Sequence, residues 1–429
     1  VDGYSGDDVI VGAPVKGGSQ GEGTAYLFLN QGASLSETPA WEKSGGMQGA
    51  YFAQSVACAG DVNNDGYDDV IIGAPGYKTD YKVGRAFVYQ GDPGTGLTID
   101  HTWSYTGTVK EAEFGHAVAG AGDVNGDGFD DIVVGAPYYD DSDLEVDEGA
   151  IYLFYGSASG PSASPDWYMD ADQARVWLGW SVSAAGDVND DGYDDLIVGA
   201  PRYVNPGTEV REGAAFLVLG GNPLPIGVTV IAYGGQAYSR FGASVAGVGD
   251  INGDGHPDVV VGAPDYDRPG VGEVGMVSAY CGNGSGFDSE PCWTAIGDQV
   301  DANYGIAVGA AGDVNDDGFN EIIVGAPLHL ERLPDETQPE GAAFVYFGSV
   351  DGPPPWAGWK AMGDKARTDF GASVTTAGQI TGGVDGVLIG APQYFVNEEP
   401  WGAAFAFYGP LEPADPYRTA LPLILRNSQ

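Results

Sequence analysis

The chain has 429 residues, of which 71 are Gly, 27 are Pro and 43% are hydrophobic; that mixture describes a turn-rich β protein with ample core material and excludes a disordered chain. Acidic residues outnumber basic ones 61 to 17, a formal charge of -44, and so negative a surface repels phosphate backbones and anionic headgroups, which excludes nucleic acid as a partner. Two readings of the acidity stay open: a general solvating charge, or carboxylates clustered for hard cations such as calcium.

Along the chain the tripeptide Gly-Ala-Pro recurs at Gly12, Gly73, Gly135, Gly199, Gly262, Gly325 and Gly390, in steps of 61, 62, 64, 63, 63 and 65 residues. Such a period marks a repeat architecture and leaves no space for an inserted domain. The segment leading into each Gly-Ala-Pro is a continuous apolar run, as in Val70-Ile71-Ile72 and Ile322-Ile323-Val324, which suits a strand buried on both faces. A second strand follows a variable loop, as in Ala86–Tyr89, Ile151–Phe154, Ala343–Tyr346 and Ala404–Phe407. A third holds Trp41, Trp103, Trp167, Trp293 and Trp359, with Tyr233 in the remaining slot; a wide ring repeated there covers the gap between adjacent sheets. The last opens on an aromatic-Gly pair and then turns small, as in Phe114-Gly115, Phe241-Gly242, Tyr304-Gly305 and Phe370-Gly371, with Phe52-Ala53 and Leu178-Gly179 as variants. Small residues are needed where strands crowd a central axis, so this strand is innermost. Four strands in seven copies predict an all-β, seven-bladed β-propeller of four-stranded antiparallel blades over residues 1–409, with 410–429 as a tail. The tail, with Leu421–Leu425, either closes the last blade or serves in export or attachment.

The loop between the innermost strand and the Gly-Ala-Pro strand carries the chemistry. It reads DxNxDGxxD or a near variant five times: Asp61, Asn63, Asp65, Asp69; Asp123, Asn125, Asp127, Asp131; Asp187, Asn189, Asp191, Asp195; Asp250, Asn252, Asp254, Asp258; and Asp313, Asn315, Asp317, Glu321. Calcium takes six or more oxygens at about 2.3–2.6 Å, and acids or amides at positions 1, 3 and 5 of a tight loop converge on one point. Position 7 adds a backbone carbonyl, from Tyr67, Phe129, Tyr193, His256 or Phe319, while a Gly at position 6 permits the turn. Position 8 varies and position 9 is always acidic, so position 9 is the expected ligand. Position 12 lies in a strand, which rules out an EF-hand. The bland alternative is an acidic β-turn, but five copies at one place in the repeat favour about five calcium ions. In the seventh copy the stretch is Gln379, Thr381, Gly383, and no metal is expected; in the first only Asp2-Gly3 and Asp7-Asp8 remain.

Two residues past each Gly-Ala-Pro proline stand Tyr77, Tyr139, Tyr203, Tyr266, His329 and Tyr394, with Lys16 in the first copy. They either pack against neighbouring strands or form a contact ring for a protein or sugar. Acidic loops at 140–148 and 331–340 are expected to flank that ring. Cys281 and Cys292 flank a short Gly-rich stretch and either close a hairpin or stand as two small thiols, and Cys58 is expected in the core. No run reaches the roughly 18 apolar residues that span a bilayer. His101, His116, His256 and His329 occupy unrelated repeat positions, so repetition builds no catalytic site and the chain is expected not to be an enzyme.

Aromatic-Gly, an Asp/Asn loop and Gly-Ala-Pro at this spacing resemble the FG-GAP repeats of the integrin α-subunit propeller over residues 1 to about 409. The resemblance implies calcium loops on the lower face, partners on the upper face, and a role in adhesion or protein contact outside the cell. No DxSxS adhesion motif and no inserted adhesion domain occurs. A free-standing, monomeric, secreted propeller is expected, with its export signal and the start of the first repeat upstream of Val1. The alternative is a carbohydrate-binding propeller or a non-catalytic accessory domain of an extracellular hydrolase.

Overall fold

In the computed structural model the described residues are all except 2, 4, 5, 16–20, 33, 141–145, 224–226, 331–337, 381, 382, 397, 398, 401, 409, 412–420 and 425–429. Lys16, Asp2, Thr381, Leu425 and the centres of both acidic loops therefore lie outside them.

Seven antiparallel sheets follow one another along the chain, six of four strands and one of three. Blade 1 is formed by Val9–Ala13, Thr24–Phe28 and Trp41–Ser44. Blade 2 shows the complete unit, running outward as Val56–Gly60, Asp69–Ala74, Arg85–Tyr89 and Trp103–Thr106. In blade 7, Leu421–Ile424 pairs with Ala403–Phe407, so the tail supplies the outermost strand of that blade. No helix occurs among the described residues, and none is long and apolar enough to cross a membrane.

The core lies between blades. Alternate residues of one strand point to opposite sides of its sheet, so Val70 and Ile72 pack with Ala25, Leu27 and Trp41 of blade 1, while Ile71 packs with Ile132, Val134 and Phe154 of blade 3. The Gly-Ala-Pro strand is buried along its length for that reason. Seven such clusters form, and the last joins Val9, Tyr26 and Phe28 of blade 1 to Ala377, Ala404 and Ala406 of blade 7, which closes the ring. The repeated indoles seal the rims: Trp41, Trp103, Trp293 and Trp359 stand edge-to-face on Tyr89, Phe154, Tyr346 and Phe407 of the following blade. The N–H of Trp41, Trp103 and Trp293 donates to a carbonyl of that same blade, on Thr98, Ser162 and Pro354.

The two glycine motifs meet at blade junctions. The Gly115 N–H donates to the Gly135 carbonyl within blade 3 at 3.0 Å, and the Gly135 Cα faces the Gly179 carbonyl of blade 4 so closely that a Cβ would lie 2.0 Å from it. Cys281 and Cys292 form a disulfide, with Cα atoms 5.8 Å apart, across the turn between the third and outermost strands of blade 5. Cys58 departs from expectation: it is exposed on an innermost strand. The core lies between sheets, whereas an innermost strand borders the central opening of a propeller.

Candidate metal centre

Because each innermost strand runs into the acidic loop and the next strand returns to Gly-Ala-Pro, the acidic loops share one face of the disc and the Gly-Ala-Pro turns share the other. Every innermost strand carries a register irregularity just before its loop, as between Gly120 and Gly122, and the extra residue turns the chain out of the sheet.

The five loops fold alike. The position-1 carboxylate accepts the N–H of position 6: Gly66 on Asp61 at 2.7 Å, Gly128 on Asp123, Gly192 on Asp187 and Gly255 on Asp250 at 2.8 Å, and Gly318 on Asp313 at 2.9 Å. The position-5 carboxylate accepts the N–H of position 7, from Tyr67, Phe129, Tyr193, His256 and Phe319 at 3.0–3.1 Å. In four loops the position-3 amide donates to the position-5 carboxylate at 2.9 Å, from Asn63, Asn189, Asn252 and Asn315. Asn125 differs: it is buried, and neither of its side-chain polar atoms has a hydrogen-bond partner.

The position-9 acids are fully buried. One oxygen accepts the N–H of position 2, from Val62, Val124, Val188, Ile251 and Val314 at 2.7–3.2 Å. In the four Asp copies the other oxygen takes a glycine N–H, from Gly91, Gly156, Gly220 or Gly282. Glu321 Oε1 is buried with no hydrogen-bond partner. Burial pushes Asp69 and Asp258 up to about 7, Asp131 and Glu321 to about 8 and Asp195 to about 6, and the carboxylates at positions 1 and 5 add repulsion. In blade 6, oxygens of Asp313, Asp317 and Glu321 lie within 4.8 Å of one another. An Asp at position 9 is one methylene shorter, and among the described residues the other four loops do not gather three carboxylates that closely.

These residues fit a hard divalent cation. They offer only oxygen donors on a turn of fixed shape, with the buried oxygen of Glu321 and the buried amide of Asn125 left over. A second carboxylate group, Glu148, Asp170 and Asp172, also within 4.8 Å, sits at the opposite end of blade 3.

On the Gly-Ala-Pro face, Tyr77, Tyr139, Tyr203 and Tyr266 are half-buried against the interblade clusters, and Tyr394 and His329 are buried. Tyr203 touches Phe216 and Tyr233, and the Tyr394 hydroxyl bonds Asp364 at 2.9 Å. His329 pairs with Asp298 at 3.3 Å. Sequence reasoning passed over a neighbouring stack on that face, Arg202 over Trp177, Trp177 on Trp180 and Trp180 on His116. His116 and Trp180 take the same place in the repeat, directly after the Gly of Phe114-Gly115 and Leu178-Gly179, but Trp177 and Arg202 recur at their places in no other copy, so no periodicity announced the stack.

Comparison with known proteins agrees with this geometry. The FG-GAP repeat model matches residues 53–89, 114–154, 178–217, 241–280 and 304–346, which are blades 2–6. The chain is 34% identical to integrin alpha-4 of Xenopus laevis over 46% of its own length and 18% of that protein's, and 38% identical to integrin alpha-IIb of Mus musculus over 36% and 15%. It is 30% identical to phosphatidylinositol-glycan-specific phospholipase D of Homo sapiens over 68% of this chain and 36% of that one. The chain thus spans well under half the length of the curated relatives it matches. Among solved structures it is similar to the Dos1 propeller, at 10% identity and a TM-score of 0.40 over 84% of this chain and 70% of that one. With repeats, blade order and loop geometry in agreement, the chain is an integrin-like FG-GAP repeat β-propeller.

Proposed function

We propose that this propeller is an extracellular interaction module that binds about five calcium ions in the loops of blades 2–6 and meets a protein ligand on the opposite face. The observation that carries the reading is the set of buried acids at position 9, each raised further by the charges of the loop acids at positions 1 and 5, none with a basic partner in its loop, and in blade 6 within 4.8 Å of both. Acids about 4 Å apart repel by ~4 kcal/mol at an effective dielectric of 20, and a divalent cation turns that repulsion into attraction. The ligands are the side chains at positions 1, 3, 5 and 9 and the position-7 carbonyl, and the role is structural: each ion ties an innermost strand to its neighbour. The disulfide between Cys281 and Cys292 supports an oxidising compartment. Integrin α relatives support adhesion or protein contact as the task. Calorimetric titration and metal analysis of chelator-stripped protein should find about five calcium ions per chain; no uptake would end the reading.

The half-buried ring of Tyr77, Tyr139, Tyr203 and Tyr266, together with His329 and Tyr394, is the contact face. Replacing Tyr139 and Tyr203 by Ala should weaken binding to a protein-coated surface at least tenfold while lowering stability by no more than ~2 kcal/mol. A larger stability loss with binding intact would make these rings packing alone.

A second reading has one observation in its favour, the phospholipase D relative that shares two-thirds of this chain. The propeller is then an accessory domain beside a hydrolase and carries no catalysis itself. Specific retention on a glycan array, with no affinity for protein-coated surfaces, would favour it.

A further inference from the structure

Position 8 of the loop in blades 3–7, which supplies no expected metal ligand, faces the preceding blade. Asp130 Oδ2 accepts the Asp61 N–H at 2.8 Å, Asp194 Oδ2 the Asp123 N–H at 3.0 Å, and Asp385 Oδ2 the Asp313 N–H at 2.9 Å. The return bond runs from the position-8 N–H to the position-1 carbonyl: Asp130 to Asp61 at 3.4 Å, Asp194 to Asp123 at 3.3 Å, Asn320 to Asp250 at 3.0 Å and Asp385 to Asp313 at 3.2 Å. One residue therefore grips both backbone polar groups of the first loop acid next door. We infer that Asp130, Asp194 and Asp385 are positioning residues that hold the calcium loop of the preceding blade in its binding shape.

Three observations separate this role from service to the residue's own loop. Blade 7 lacks the loop acids, with Gln379 and Gly383 in their place, yet keeps Asp385. Asp7 of blade 1 repeats the contact on the Gln379 N–H at 2.8 Å, against a blade 7 stretch that has no acid at positions 1, 3 and 5. The glycine before each position 1 leaves space for the grip: a Cβ on Gly60, Gly122 or Gly312 would lie 2.1–2.2 Å from the carboxylate of Asp130, Asp194 or Asp385. At the blade 5–6 junction Asn320 keeps only the return bond to Asp250, and one junction lacks the device altogether. Position 8 of the blade 5 loop is Pro257, which has neither an N–H nor a carboxylate to offer Asp187.

Groups that orient metal ligands typically alter affinity by about 10–100-fold. The inference rests on the calcium reading above, and site-resolved titration keeps the two apart. With calcium alone as ligand, the amide resonances of Gly66 and Gly128 report the loops that start at Asp61 and Asp123.

Asp130→Ala should raise the calcium midpoint at Gly66 at least tenfold and move that at Gly128 by less than threefold. Asp130→Asn, which keeps an acceptor without the charge, should restore the Gly66 midpoint to within threefold of the parent. Equal weakening by both variants, or an unmoved Gly66 midpoint, overturns the inference and leaves calcium binding intact. No response of either resonance in the parent protein overturns the calcium reading itself. Pro257→Asp gives a test that does not depend on a destabilised variant: it should lower the midpoint read at Gly192, and an unchanged midpoint counts against the inference.

Discussion

Stripping calcium with a chelator should lower the melting temperature by about 8 °C at neutral pH. Extracellular calcium modules have dissociation constants of about 10⁻⁴–10⁻³ M. Free calcium at ten times that value stabilises by ~1.4 kcal/mol per site, or ~7 kcal/mol for five independent sites. Unfolding entropy of ~2.1 cal/mol/K per residue converts that sum to about 8 °C for a chain of this length.

The metal-free protein should also lose stability as pH rises from about 4 to about 8. Burial holds the position-9 acids at about 6–8 in the folded state, above the ordinary carboxylate value near 4. The folded state therefore keeps protons that the unfolded chain has released. Stability that is fully present below the unfolded value is lost as pH climbs through the folded ones. Saturating calcium replaces those protons, so the slope should vanish or reverse. Melting curves at pH 5 and pH 8, with and without calcium, test both statements; identical pH slopes in the two conditions would refute them.

Gly135→Ala should destabilise the propeller by about 3 kcal/mol or more. The new Cβ would lie 2.0 Å from the Gly179 carbonyl oxygen and 2.9 Å from its carbon, backbone atoms of the next blade that no rotamer change can move. The Gly179 N–H in turn bonds Gly199 within blade 4, so relief requires one whole blade to shift against another. Overpacking of a core typically costs about 1–3 kcal/mol when side chains can yield, and here they cannot. Urea unfolding monitored by tryptophan fluorescence measures the loss, and a cost below about 1 kcal/mol would show that the junction is softer than its geometry implies.

The same contact explains why the repeat was legible. Every blade solves one packing problem, so a Gly at the junction, an aromatic beneath it and small residues on the innermost strand recur at a period that needs no structure to see. The acidic loop was legible for a related reason: its ligands lie within nine residues on one turn, and local spacing sets their geometry.

Features that join distant residues were not legible. Asp130 and Asp61 are 69 residues apart, and position 8 read as a variable site because its partner belongs to another copy. Cys281 and Cys292 allowed two readings until the hairpin placed their Cα atoms 5.8 Å apart. Cys58 replaces small residues, which points to the core, yet its strand borders the axis and the thiol is exposed.

The amino-acid sequence by itself determined the number of blades, the strand order within each and the five acidic loops, because those depend on periodicity and on groups close along the chain. Only the tertiary structure decided which acids are buried, which carboxylate grips the neighbouring blade and how far the upper rings are covered. Burial and contact across a blade junction are set by what the next copy presents, and no single repeat contains that information.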